Sequence, residues 1–300
     1  MNRNHLPHIS LLVSAVLFGI NYWVSKWLTD AFEVQAIVTM RIIGALILFQ
    51  IFEWIFGSQK ISRRDHLQLL SAGFLGIAIN QLFFFEGINL SNPVDVSIIH
   101  VTSPFFVLLF SLIFLKSRIS AIRVAGLVLG AAGALLLILK SGKADFSKDT
   151  LNGNLFILVN TASYASYLLI SKPLLNRYPL MTTMKWINLY GLVFILPFGL
   201  PELIQTDFQQ VSTQNWLALF YLIVIVTFVA YWLSAYSLKK LSATVVSFYI
   251  YLQPLIVALI AIIIGNSQPE FYHLAATFLI FSGVYLVSKN KIKATLKRKG

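Results

Sequence analysis

The chain has no cysteine and very little charge. Asp, Glu, Lys and Arg make up 11% of its 300 residues, while 58% are hydrophobic. Without cysteine there is no disulfide framework, no thiol nucleophile and no thiolate metal site. A soluble domain carries about a quarter charged residues, so this chain cannot cover a water-facing surface, and it reads as a polytopic membrane protein. Enzyme signatures are missing too. There is no HExxH, GxSxG, GxGxxG or Walker loop, and no His/carboxylate cluster at metal spacing. The expectation is therefore no enzyme, no cofactor, no metal and no ATP coupling by the chain itself. The net charge of +12 invites a nucleic-acid reading. The basic residues punctuate apolar segments instead of forming a basic face, so nucleic acid is not an expected partner.

What is present is a series of apolar runs, each long enough for the roughly 30 Å hydrocarbon core. Ten are read: 9–27, 34–56, 67–86, 94–115, 121–139, 154–170, 180–201, 216–238, 242–264 and 271–288. The fold class is thus all-α, with the bilayer as solvent. The first run follows a short polar start with no small-residue cleavage site, so it reads as a span and not a cleaved signal. Breakers mark the connections, among them Gly57, Pro93, Pro173, Pro179 and Pro269.

The chain says one stretch twice. Shifted by 150 positions, Asp95–Leu112 falls on Val245–Ile262. Pro104 lands on Pro254, Ser97 on Ser247 and Val107 on Val257, and the register holds onward to Gly133 on Gly283. Five spans is an odd number, so the second half enters the membrane from the opposite side. The pattern is an inverted repeat of two five-helix units, 6–140 and 152–289, with a basic tail at 290–300. Inverted repeats give a carrier two similar states open to opposite faces. Most Lys and Arg fall on one side of the spans, as do Arg63, Arg64, Lys116, Lys239 and Lys291. By the positive-inside rule both termini are expected in the cytoplasm.

Polar residues inside spans are costly and mark interior faces or cavities. Ser14, Phe18, Asn21 and Ser25 share one face of the first span. A shift of 146 puts Asn160, Tyr164, Tyr167 and Ser171 at the same places in the sixth. Helix-to-helix hydrogen bonding is the plainer use of such residues, but Tyr and Asn are large for close packing. Candidate substrate-binding residues are Asn21, Arg41, Gln81, His100, Tyr167, Trp186, Tyr231 and Tyr251. Arg41, deep in the second span, would clamp a carboxylate or phosphate; Lys185 and Trp186 hold its place in the seventh. The aromatic share suggests a substrate with apolar or planar parts. Glu86 and His100 are candidates for ion coupling, His100 because imidazole titrates near neutrality. Glu53 and Glu86 lie near span ends, where headgroup solvation is expected. Pro104 and Pro254 are expected hinges, since each leaves a carbonyl one turn earlier, at His100 and Ile250, without its helical partner. The glycines of the fifth span, Gly126, Gly130 and Gly133, allow close helix approach within the chain, or in a homodimer through spans five and ten.

The stretches FGINYWVSK from Phe18, RIIGALIL from Arg41 and VAGLVLGAAGALLL from Val124, with the proline segments around Pro104 and Pro254, are together similar to those of EamA-type members of the drug/metabolite transporter superfamily. FGINYWVSK from Phe18 resembles the family's opening W-G-x-N-F stretch. RIIGALIL from Arg41 resembles its second-span arginine segment, TSPFFVLLFSLIFL and LQPLIVALIAIII resemble its mid-helix proline segments, and VAGLVLGAAGALLL resembles its glycine-rich last helix. The resemblance implies a ten-helix permease of the plasma (inner) membrane. Its cavity would be lined by spans one to four and six to nine, and it would move small metabolites, commonly amino acids and related compounds, often outward. A carrier of nucleotide sugars or phosphate esters is the alternative within the superfamily. A non-transporting scaffold is the alternative outside it. Ser117 and Ser267 stand where the family usually has glutamate after each proline-bearing span. No acid lies in the first span, unlike the small multidrug exporters.

Overall fold

The computed structural model describes residues 5–116, 120–141, 148–265 and 271–296. Among these there is no strand, and the helices group into ten rods. They are α1 Leu6–Thr29, α2 Val34–Phe56, α3 Arg63–Leu90, α4 Pro93–Leu115 and α5 Ala121–Ser141. The second half gives α6 Lys148–Arg177, α7 Leu180–Gln205, α8 Thr213–Lys240, α9 Ala243–Ile263 and α10 Phe271–Leu296. Eight are long and apolar enough to cross a membrane. In α5 and α10 the described apolar stretches are Ala121–Gly133 and Leu274–Leu286. The protein is an integral membrane protein of two inverted five-helix repeats. Ser117 and Ser267 lie outside the described residues.

Helix packing obeys the repeat. α3 packs on α6, and its mate α8 packs on α1; α4 packs on α6, and its mate α9 on α1. The self-related pairs are α2 with α7 and α5 with α10. The largest contacts therefore join one half to the other. At the α5–α10 crossing the backbones nearly touch: a Cβ on Gly283 would stand 2.7 Å from the Gly126 carbonyl oxygen and 2.8 Å from the Gly130 nitrogen. Only glycine permits that approach, and the small-residue faces of α5 and α10 are occupied by each other within the chain.

Pro104 and Pro254 each follow an irregular turn. His100–Thr102 and Tyr249–Tyr251 each wind as a single 3₁₀ turn just before Pro104 and Pro254. The tighter turn accommodates the carbonyls that lack a proline N–H. Pro173 behaves differently from its reading as a connection: it lies inside α6, one turn before the end at Arg177. Gln68 Nε2 donates to the Ile170 carbonyl at 2.8 Å, beside the position where the proline withholds its N–H. Lys172 donates to the carbonyls of Leu238, Lys239 and Leu241, at 3.0 Å and 2.8 Å for the latter two. That satisfies the free carbonyls at the end of α8.

Two further irregularities have no sequence signature. α3 widens into a π-helix over Phe74–Ile79, and α8 does so over Tyr221–Ala230. Such turns misalign carbonyls and concentrate at functional sites. Here both are caught by equivalent residues of the repeat. Ser14 of α1 donates to the Ala230 carbonyl at 2.9 Å, and Asn160 of α6 donates to the Asn80 carbonyl at 2.5 Å.

Candidate functional site

Between the halves lies a cavity of about 70 Å³, room for roughly five waters at ~10–15 Å³ each. α1 contributes Phe18, Asn21 and Tyr22, and α2 contributes Arg41. α3 contributes Asn80, Gln81 and Phe84, and α4 contributes His100. The second half supplies Asn160 and Tyr164 from α6, Val226 and Tyr231 from α8, and Ile250 and Gln253 from α9. All but Phe84, Val226 and Ile250 among these carry a polar group or belong to the repeated stripe, leaving a small apolar wall.

A hydrogen-bonded chain crosses the cavity. His100 Nε2 meets Asn160 Oδ1 at 2.5 Å, and His100 Nδ1 meets the Tyr22 hydroxyl at 2.6 Å. The Tyr22 hydroxyl lies 2.7 Å from Gln253 Oε1. Because the Asn160 amide donates to the Asn80 carbonyl, its oxygen faces the ring, and His100 Nε2 must carry a proton. Two arrangements then satisfy every member. With a neutral ring, Tyr22 donates to Nδ1 and the Gln253 amide turns to donate to Tyr22. With a charged ring, Nδ1 donates to Tyr22, which donates to Gln253. The proton content of His100 is thereby tied to the orientation of Gln253. Farther along, Gln81 donates to the Tyr231 hydroxyl, which donates to Asn80 Oδ1 at 3.3 Å.

Arg41 is 2% exposed. Its Nε donates to Thr227 Oγ1 at 2.9 Å, and that hydroxyl donates to the Leu222 carbonyl five residues back at 2.6 Å. The π turn of α8 thus points the Thr227 lone pair at Arg41. The guanidinium carbon stands 4.9 Å from the centre of the Phe85 ring, and Nη1 is buried without a hydrogen-bond partner.

Of the residues singled out from sequence, Asn21, Arg41, Gln81, His100 and Tyr231 come together in this cavity. Tyr167, Trp186 and Tyr251 do not line it. Tyr167 turns to α3, its ring filling the space that Gly76 leaves, and its hydroxyl meets Met184. Trp186 lies against His66, with ring centres 4.8 Å apart, and against Tyr190. Tyr251 packs on Gly130 of α5 and donates to the Leu127 carbonyl at 3.4 Å. It sits in the 3₁₀ turn, which advances each side chain by about 120° instead of 100°, so a face drawn for a regular helix drifts. Glu86 accepts from Gln35 Nε2 at 2.8 Å, away from the cavity. Glu53 corrects the headgroup expectation: it is 1% exposed and pairs with Lys185 Nζ at 2.5 Å. Tyr22, Asn80, Phe84 and Thr227 were missed. Tyr22 follows Asn21 directly and falls beside the stripe, and Thr227 is placed only by the π turn.

Ten spans in two inverted repeats around one shared polar and aromatic cavity define a membrane carrier. The chain belongs to the EamA-like transporter family, whose model matches residues 5–139 and 151–289. It is similar to an uncharacterized transporter of Archaeoglobus fulgidus, 28% identical over 241 residues, 78% of this chain and 81% of the other. The uncharacterized transporter YxxF of Bacillus subtilis is 26% identical, covering 93% of this chain and 88% of its own length. The uncharacterized inner membrane transporter YicL of Salmonella typhimurium is 24% identical over 93% of this chain and 94% of its own. A protein crystal structure at 17% identity superposes with a TM-score of 0.73, covering 92% of this chain and 94% of that one. It supports the fold alone. The protein is a membrane transporter of this family.

Proposed function

We propose that this transporter moves a small metabolite, an amino acid or related compound, by alternating access, outward across the inner membrane with both termini in the cytoplasm. The observation that carries the reading is the cavity itself, walled by both halves. The paired π turns and 3₁₀ turns break the helices beside it at equivalent depths. Irregular backbone at membrane depth is tolerated where it lines a cavity or is buried in protein, and inverted halves supply two states of similar energy. Outward direction and the amino-acid class follow the family resemblance; the orientation follows the Lys and Arg bias. His100 is the candidate for proton coupling, because its proton content sets the Gln253 amide that joins α9 to α1 and α4. A nucleotide-sugar cargo fits less well, since a small cavity with a single arginine offers little to a diphosphate.

The test needs no substrate. With no cysteine in the chain, Asn21→Cys in vesicles of each orientation reports which face reaches the cavity. An alternating carrier gives labelling by an impermeant thiol reagent from both faces. Labelling from neither face, or from one face only under every condition, would favour the scaffold reading.

A further inference from the structure

We propose that the cargo is a small organic monoanion, a carboxylate on a short carbon skeleton, held by Arg41; this rests on reading the cavity as the transport site. Arg41 is the charged side chain of the cavity wall. Among the described residues no Asp or Glu lines it, and the two ion pairs, Arg177–Asp65 and Lys185–Glu53, engage other cations. A guanidinium buried to 2% exposure at membrane depth calls for a counter-charge, and the described residues supply none at that point.

The geometry favours a carboxylate over other anions. Thr227 holds Nε, and Phe85 lies under the guanidinium face. The plane is therefore fixed, Arg41 belongs to the cavity wall, and Nη1 is left buried with no hydrogen-bond partner. A fixed planar fork suits a carboxylate, where a lysine would offer only a point charge. Phe18, Phe84 and Val226 provide an apolar wall for the carbon skeleton. The charge balance selects further. With His100 neutral and the Gln253 amide turned to donate to Tyr22, the wall carries one positive charge, which a monoanion cancels. A dianion leaves one charge over and a cation is repelled; within the class proposed above, a zwitterionic amino acid brings an ammonium with no carboxylate to receive it, so the related acid without the amine is favoured over the amino acid itself.

Four shape-matched probes separate these cases: isobutyrate, isobutyramide, isobutylamine and 2-aminoisobutyrate. Each is titrated against the thermal stability of the full-length protein in detergent, at constant ionic strength with gluconate as the balancing anion. Formate, acetate and propionate extend the carboxylate series. The expected result is saturable stabilisation by the carboxylates, at least about tenfold weaker in Arg41→Gln and intermediate in Arg41→Lys, with isobutyramide and isobutylamine inert. The proposal is overturned if no carboxylate of the series stabilises the wild type more than the variant, or if isobutylamine or 2-aminoisobutyrate binds as tightly as isobutyrate. Should Arg41→Gln fail to fold, isobutyrate against isobutyramide on wild type, with Arg41→Lys, decides the same question. Flux in proteoliposomes separates the two readings. Arg41-dependent binding without flux or two-sided labelling keeps the anion site and sinks transport. Arg41-independent flux of the amide or amine keeps transport and sinks the anion site.

Discussion

The Lys185–Glu53 pair joins α2 to α7, and removing one partner should not cost what removing the other does. Glu53 is 1% exposed and Oε1 has no hydrogen-bond partner, while the Lys185 side chain is 16% exposed on a flexible stem. Lys185→Met strands a carboxylate that cannot reach water, and breaking a buried pair in this way costs about 3–5 kcal/mol. Glu53→Gln leaves an ammonium that can swing towards solvent along its own stem and still donate to the amide oxygen, for about 1–2 kcal/mol. The double variant leaves no unpaired charge and should recover most of the loss, since neutral replacements of buried pairs are often tolerated. At about 2 °C per kcal/mol, the lower edge for large chains, Lys185→Met melts roughly 6–10 °C low and Glu53→Gln roughly 2–4 °C low. Thermal unfolding in one detergent, with all four proteins of the cycle, measures this. Equal losses in the two single variants, or a double variant as unstable as their sum, would refute the burial argument.

Three other perturbations follow from the packing. Gly283→Leu forces a side chain against the α5 backbone, for about 1–3 kcal/mol of overpacking; melting should fall while isobutyrate affinity holds, because α5 and α10 lie off the cavity wall. Lys172→Met removes the ammonium from three carbonyls at the α8 terminus, where a charge-assisted hydrogen bond is worth about 1.5–3 kcal/mol; the expected readouts are a lower melting point and faster amide exchange around Leu238. Pro104→Ala together with Pro254→Ala restores two helical N–H groups, so stability should hold or rise while vesicle flux falls by about fivefold or more. Unchanged flux in that variant would remove the hinge role.

The ten rods were legible because a bilayer demands long apolar runs, and the inverted repeat because the proline segments kept register over nearly 40 residues. Arg41, Asn21 and His100 stood out since polar groups at that depth need a reason. The site's detail was hidden for a different cause. A π turn needs no particular residue type, so nothing in Phe74–Ile79 or Tyr221–Ala230 announced one, and with it went Thr227 and the captured carbonyls. Trp186 was drawn to the cavity by its alignment with Arg41. The repeat equates backbones, not side chains, and Trp186 took the company of His66 and Tyr190 instead. Pro173 looked like a break, but a proline one turn from a helix end, with Gln68 beside the affected carbonyl, need not be one.

The dominance of contacts between halves has a bearing on how the chain is made. The second repeat takes about 150 residues to synthesise, roughly 8–30 s at 5–20 residues per second. Through that interval α1 to α5 sit in the bilayer without their main neighbours, and Ser14, Arg41 and Gln81 have lipid or the insertion machinery where α6 to α9 will later stand. The newborn first half is therefore an unfinished client, and its rescue is the arrival of the second.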